Sequence, residues 1–315
     1  MVQTLSDAFI GDLIQGRQKD LLEYVKNNSK FDMQIRPNSV LVYYRGVPVL
    51  EVIESALHTY ELVFDHGHLN PQDFYGKDYS NPEKHKWLWN EFFPMIEATY
   101  DHYQELEILD EQDFQQNVVR VNNYSSNATQ TDFFIIKSDY YPYDRADFDM
   151  VAVRLQPNRS IEESQKHQPL LYVIEVRFGE DDFDMRRGVE RHIHVSNYIQ
   201  LVNYQQALSE FMRSMIETFK CQCQLGLIPS MKGLEGTISD SQFGDQLGLL
   251  FLLINQNSRS KLLIDSEVHL VKNDVRFIKM RNKNYELYSD QAFGFDQFTK
   301  LFKRHKISPQ LPFEF

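Results

Sequence analysis

Only two cysteines occur in 315 residues, Cys221 and Cys223, one residue apart. That spacing is too short for an ordinary disulfide. Two thiols are also too few for a structural zinc site. A disulfide-stapled framework is therefore excluded, and a reduced, cytoplasmic protein is expected. Positive charge is also in deficit. The chain has 33 Lys and Arg against 45 Asp and Glu, a formal net charge of −12. It is a poor electrostatic sink for nucleic acid, which excludes a high-affinity, sequence-independent coat protein. An enzyme whose basic groove or divalent metal offsets its acids stays open. Long apolar runs are missing: the longest, LGLLFLLI at 247–254, has eight residues, against the ~20 that cross a bilayer. It reads as a buried strand, and no membrane partner is expected. The residues after Met1 offer no basic or apolar leader segment, so no signal peptide is expected. There is no internal repeat and no low-complexity tract.

What is present is a globular composition: 42% hydrophobic, 25% charged and 13% aromatic residues. So many rings favour sheet-containing structure. Apolar spacing predicts a helix over 5–28 through Leu5, Phe9, Leu13, Leu21, Leu22 and Val25. Residues 33–54 predict a hairpin turning at Arg45-Gly46, with a third strand at 60–65. Turn formers at 71–84 predict a loop. Residues 86–104 return to helical spacing, with Trp87, Phe92 and Tyr100 in the core and a kink or split at Pro94. From there a unit of helix, three strands, helix and strand is expected. Its parts are a helix at 111–123, strands at 131–142, 145–155 and 169–178, a helix at 187–224 and a strand at 248–255. The polar stretch 156–168 is a surface loop. A short helix at 259–265, a strand at 269–280 and a helix near 295–305 follow. The expected class is α/β to α+β. Residues 1–104 form an N-terminal α+β portion with a hairpin, 105–265 a core, and 266–315 a C-terminal extension packed on it.

Two residues inside this core carry chemistry. Asp149 precedes an apolar run, and Glu175 interrupts one. A carboxylate in a greasy strand costs several kcal/mol unless it is paired or binds a metal. Two of them on neighbouring strands can converge on one divalent cation such as Mg²⁺, which takes one or two carboxylates plus waters and phosphate oxygens. Such an ion activates water and stabilises charge on a phosphodiester. Residues i and i+2 of a strand share a face, which sets Arg177 beside Glu175.

The pattern Asp149, then Glu175-Val176-Arg177, in that element order, resembles the PD-(D/E)XK nuclease superfamily over roughly 105–260. More specifically, the chain resembles an uncharacterised bacterial group of PD-(D/E)XK-like proteins. The matching pieces are Tyr43-Tyr44-Arg45-Gly46, Phe114-Gln115-Gln116, Asn122-Asn123, Asp147-Phe148-Asp149 and Glu175-Val176-Arg177-Phe178-Gly179. QLGLI at 224–228 and FLLINQNSRSKLL at 251–263 match as well. The resemblance implies a restriction-endonuclease-like core of order αβββαβ with a mixed central sheet. It also implies Mg²⁺ or Mn²⁺ held by Asp149, Glu175 and the Val176 carbonyl, and nucleic acid, DNA first, as partner. Asp139 and Glu111 are further candidate acids. Arg177 departs from the pattern, because the superfamily has lysine there. Arginine keeps the charge but is planar and not readily deprotonated. It could grip a phosphate by two bonds, or pair with Glu175 or Asp149 and close the site. The expected function is a metal-dependent nuclease, impaired or not by Arg177. The alternative is a non-catalytic binding or scaffold protein on a degenerate nuclease fold.

Other features carry less. Gln200 and Tyr204 have the Q-xxx-Y spacing of RecB-like nucleases and would share a helix face; the bland reading is a half-buried Tyr204. Arg187 and His192, with Arg186, Arg191 and His194, either meet phosphates or balance Glu180, Asp181, Asp182 and Asp184. His192-x-His194 and His66-x-His68 suit zinc poorly, having no partner cysteine. The sequons at Asn123 and Asn127 fall in what reads as an exposed polar loop. Basic residues from Lys272 to Lys306 read as a solvated face or a nucleic-acid surface. Self-association stays open.

Overall fold

The computed structural model describes residues 4–64, 89, 91–99, 111–124, 133–138, 148–155, 171–178, 198, 200–231, 238, 243, 246–254, 268–270, 277–280 and 286–289. Side chains are described in these, except at 111–113, 177–178, 253–254 and in the last three segments. The fold is mixed α+β, with one four-stranded and one seven-stranded sheet. No helix among the described residues is long and apolar enough to cross a membrane.

The helix expected over 5–28 is two helices, α1 (Asp7–Gln15) and α2 (Lys19–Asn27). Ser6 starts α1 by accepting the Phe9 N–H at 3.0 Å, which satisfies one of the donors a helix start leaves open. Gly16 ends it. A side chain there would run into the Asp12 carboxylate and into Asp12 Cα at 2.7 Å. Apolar spacing is blind to that contact, and so joined the two helices.

A four-stranded meander follows: β1 (Phe31–Arg36), β2 (Ser39–Tyr44), β3 (Val47–Ala56) and β4 (Thr59–Phe64). All neighbours are antiparallel. Arg45 and Gly46 turn at φ 50° and 83°, the two positive values that a hairpin with the right strand twist demands. Pro37-Asn38 makes a further turn, with Asn38 at φ 57°. The stretch 33–54 therefore holds two hairpin turns where one was expected. The third strand expected at 60–65 is β4. Helical residues 91–99 run through Pro94 without splitting, and Trp89, Phe92 and Phe93 are buried against this sheet.

The larger sheet has strand order β5-β6-β7-β8-β11-β10-β9. Its strands are β5 (Phe133–Ser138), β6 (Met150–Arg154), β7 (Leu171–Phe178), β8 (Leu247–Ile254), β9 (Val268–Leu270), β10 (Phe277–Met280) and β11 (Glu286–Ser289). β5, β6 and β7 are mutually antiparallel, while β7–β8 and β8–β11 are parallel. The single strand expected at 269–280 is instead the antiparallel pair β9 and β10. The sheet thus continues past residue 265. Two helices flank it: α3 (Glu111–Val119), followed by a wider π turn at Arg120–Tyr124, and α4 (Gln205–Leu225). Met150, Ala152 and Ile174 pack with Phe114 and Val118 of α3. Val151, Val153 and Val173 pack with Met212, Ile216 and Phe219 of α4. Burial on both faces explains why β6, β7 and β8 are apolar without alternation.

The helix expected over 187–224 breaks at Tyr204, which caps α4 in an extended conformation. The loops at 71–84 and 156–168 and the helices at 259–265 and 295–305 lie outside the described residues. So do Trp87 and Tyr100.

β5 is an outer strand, and side chains satisfy its open edge. Asn123 accepts the Ile135 N–H at 2.8 Å and donates to the Ile135 carbonyl at 2.7 Å. Gln222 donates to the Ile136 carbonyl at 2.9 Å. Gln34 accepts the Ser138 N–H at 3.1 Å, and Arg36 donates to the Ser138 carbonyl at 3.3 Å. An exposed edge invites pairing with another chain, and this one is closed from three directions. Asn123 is buried, not in an exposed loop as its sequon setting suggested.

Candidate active site

The β6–β7 ladder pairs Val153 with Leu171 and ends, on the described pairs, at Met150 with Ile174. One step further along this register sets Asp149 opposite Glu175. Asp149 sits in the bend before β6, outside the strand. Its Oδ2 accepts the Val176 N–H at 2.7 Å. A carboxylate therefore takes the place that a main-chain carbonyl would hold if the ladder continued. The N–H and C=O of one strand residue point to the same side. The Val176 carbonyl accordingly points toward the β6 edge, where Asp149 stands.

Glu175 is 1% exposed and pairs in register with Phe251 of β8. Strand alternation places it on the face of Val173 and Leu171, under α4. Burying a carboxylate there requires partners, and neither Asp149 nor Glu175 is without them. Phe148, next to Asp149, packs on Phe211 of α4 with ring centroids 5.9 Å apart. No sequence motif pointed to Phe211.

The remaining candidates divide. Arg177 belongs to β7, in register with Leu253, and its side chain lies outside the described residues. Glu111 opens α3, and its side chain also lies outside them, as do Asp139, Arg187, His192, His194, His66 and His68. Gln200 and Tyr204 are exposed. They do not share an unbroken helix, because Tyr204 sits at the break before α4. The Tyr198 hydroxyl, in the same segment, donates to the Leu247 carbonyl at 3.0 Å. Leu247 pairs with Leu171 at the start of β7. That tether is about 13 Å along the strand from Glu175, at ~3.3 Å per residue. Tyr204 is 64% exposed, where a half-buried ring was the bland expectation. Cys221 and Cys223 are buried thiols. Burial, with Glu217 nearby, pushes the Cys221 thiol up to about 12, which leaves it inert as a nucleophile. Among the described residues no three His, Cys, Asp or Glu side chains converge.

Several pieces that carried the resemblance have internal partners. Gln116 accepts the Gly46 N–H of the Arg45-Gly46 turn and donates to the Lys30 carbonyl at 2.6 Å. Asn122 donates to the Val118 carbonyl at 2.8 Å, and Asn123 holds β5. Gln116 thus ties α3 to the smaller sheet, Asn122 bonds within its own helical segment, and Asn123 serves the edge of β5. Comparison of the chain with family models, with curated proteins and with solved structures gives no match.

Proposed function

We propose that this chain is a metal-dependent nuclease of the PD-(D/E)XK type, which hydrolyses phosphodiester bonds of nucleic acid at Asp149 and Glu175. The observation that carries the reading is the 2.7 Å bond from the Val176 N–H to Asp149. It fixes the Asp149 carboxylate on the residue after Glu175, at the end of the β6–β7 ladder. The order α3-β5-β6-β7-α4-β8 supports it, being the helix, three strands, helix and strand of a restriction-endonuclease-like core. Pairing within β5–β8 is antiparallel, antiparallel and parallel, a mixed sheet as that core requires.

The donor set suits a hard cation: two carboxylates and one carbonyl, all oxygen, as Mg²⁺ or Mn²⁺ prefers. Asp149, Glu175 and the Val176 carbonyl would hold the ion, which supplies charge neutralisation at the phosphate and a more acidic water. The chain's own residues do the positioning. The Val176 N–H fixes the Asp149 carboxylate. Burial of Glu175 strengthens the attraction of its charge for a cation. Arg177, two residues on from Glu175, brings a fork of donors that would suit a phosphate.

Arginine at this position also favours the second reading, a binding protein in which Arg177 neutralises the pair. Calorimetric titration of Mn²⁺ into the wild type and into Asp149→Ala/Glu175→Ala separates the two, followed by cleavage assays on DNA and RNA. The nuclease reading expects heat and cleavage in the wild type and neither in the double variant. A wild type that gives no site-dependent heat, with or without an oligonucleotide present, transfers the assignment to the binding protein.

A further inference from the structure

We infer that Gln34 and Arg36, two side chains of the N-terminal sheet, are positioning residues for the acid pair at the far end of β5 and β6. The inference rests on the nuclease reading above and adds to it a task for the N-terminal sheet.

Ser138 is the last residue of β5 and pairs with Met150, the residue after Asp149. Both of its outward main-chain groups are taken by β1. The Ser138 N–H donates to Gln34 Oε1 at 3.1 Å, and the Arg36 guanidinium donates to the Ser138 carbonyl at 3.3 Å. Gln34 is fully buried. Its amide cannot turn round, because its Nε2 donates to Asp32 Oδ2 at 2.5 Å. The acceptor end is thereby fixed on Ser138.

The consequence is mechanical. β5 is the outer strand of its sheet, so among the described residues no further strand pairs with its end. Strand ends open locally at low cost unless their main-chain groups are engaged. The β1 clamp holds Ser138, the ladder transmits that hold to Met150, and the next residue is Asp149. Loosening the clamp lets the start of β6 move, and with it the carboxylate that must meet a cation beside Glu175. Side chains behind a ligand set affinity in this way without touching the ion.

A built-in control exists. Arg120 donates to the Phe31 carbonyl at 2.7 Å. It is the same kind of bond to β1, but at the opposite end of that strand, about 17 Å from Arg36 at ~3.3 Å per residue. Removing it weakens the junction without touching Ser138.

The experiment is Mn²⁺ calorimetry on the full chain, with thermal midpoints, for the wild type, Arg36→Ala, Arg36→Lys and Arg120→Ala. Arg36→Ala is expected to weaken Mn²⁺ binding roughly tenfold, while Arg120→Ala lowers the midpoint comparably yet keeps affinity within about twofold. Arg36→Lys keeps the charge and can still donate to one carbonyl, so it recovers most of the affinity. If Arg36→Ala does not fold, Arg36→Met, which keeps the length of the side chain but has no donor for the Ser138 carbonyl, carries the comparison with Arg120→Ala. Unchanged affinity in Arg36→Ala, or a loss matched by Arg120→Ala, overturns the inference and leaves the nuclease reading standing. Absence of Mn²⁺ heat in the wild type overturns both.

Discussion

At the residue scale, Asp12 holds three pieces of chain together. Its Oδ2 accepts the Tyr60 hydroxyl at 2.6 Å and lies 2.8 Å from His58 Nδ1. Arg17, just past α1, donates to the His58 carbonyl at 2.8 Å. The cluster pins the β3–β4 turn to the end of α1. Burial alone would push the Asp12 carboxyl up. The Tyr60 and His58 hydrogen bonds, the His58 charge and the Arg17 N–H outweigh it, so the group lies below the usual carboxylate range. A lowered value in the folded chain means stability that is present above the unfolded value, about 3.9. That stability is lost as pH falls through the folded value. Asp12→Asn is therefore expected to destabilise by about 1–3 kcal/mol near neutrality. The deficit relative to wild type should shrink as urea unfolding is repeated below about pH 4. A gap that stays constant into strong acid would sink the idea. None of this was legible in the sequence. No motif in the sequence pointed to Asp12, and its side-chain partners His58 and Tyr60 lie over forty residues away. Asp149 and Glu175 were legible because a carboxylate against an apolar run is anomalous by itself.

At the scale of elements, legibility followed local chemistry. The Arg45-Gly46 hairpin could be read because β-branched and aromatic residues flank a tight turn containing glycine. The other expectations failed where an element stops for a reason outside its own periodicity. α1 stops at Gly16, where Asp12 leaves no room for a side chain. The helix before α4 stops at Tyr204, although nothing in the apolar spacing marks the place. Residues 269–280 were expected as one strand, yet β9 and β10 are two; Lys272-Asn273-Asp274 between them held a turn signal. The open edge of β5 is closed by residues that sequence reading cannot pair with it. Asn123 is the clearest case, since one side chain serves both main-chain groups of Ile135. Asn123→Ala leaves a buried N–H and a buried carbonyl without that partner. The expected cost is about 2–6 kcal/mol, from the ~1–3 kcal/mol of each of the two stranded groups. Amide exchange at Ile135 should accelerate by the same free energy, read by native-state hydrogen exchange. If Ile135 keeps wild-type protection, the edge is held by something other than Asn123.

At the scale of the whole molecule, the mixed α+β class followed from the sequence, but the joining of the two sheets did not. The N-terminal core of Phe9, Leu13, Phe31, Trp89, Phe92 and Phe93 takes in Cys221, Leu225 and Leu227 from the end of α4 and just beyond it. Tyr43 of β2, in turn, packs into the layer between α3 and the larger sheet. Each sheet thus completes the other's core. Buried polar bonds tie the same junction: Gln116 to Lys30 and Gly46, Arg120 to Phe31, and Gln34 to Ser138. Chains of this length commonly unfold in stages. Shared burial argues for one transition here, because neither half can open without exposing apolar surface of the other. Fluorescence of Trp89, in a Trp87→Phe background, reports the N-terminal core. Hydrogen exchange of the β7 amides reports the larger sheet. The two midpoints in urea are expected to coincide. Leu225→Ala, at the junction, should cost about 2–5 kcal/mol and move both probes together. If Leu225→Ala shifts the Trp89 transition while β7 stays protected, the sheets unfold as separate units, and a clamp from one could not hold the acids of the other.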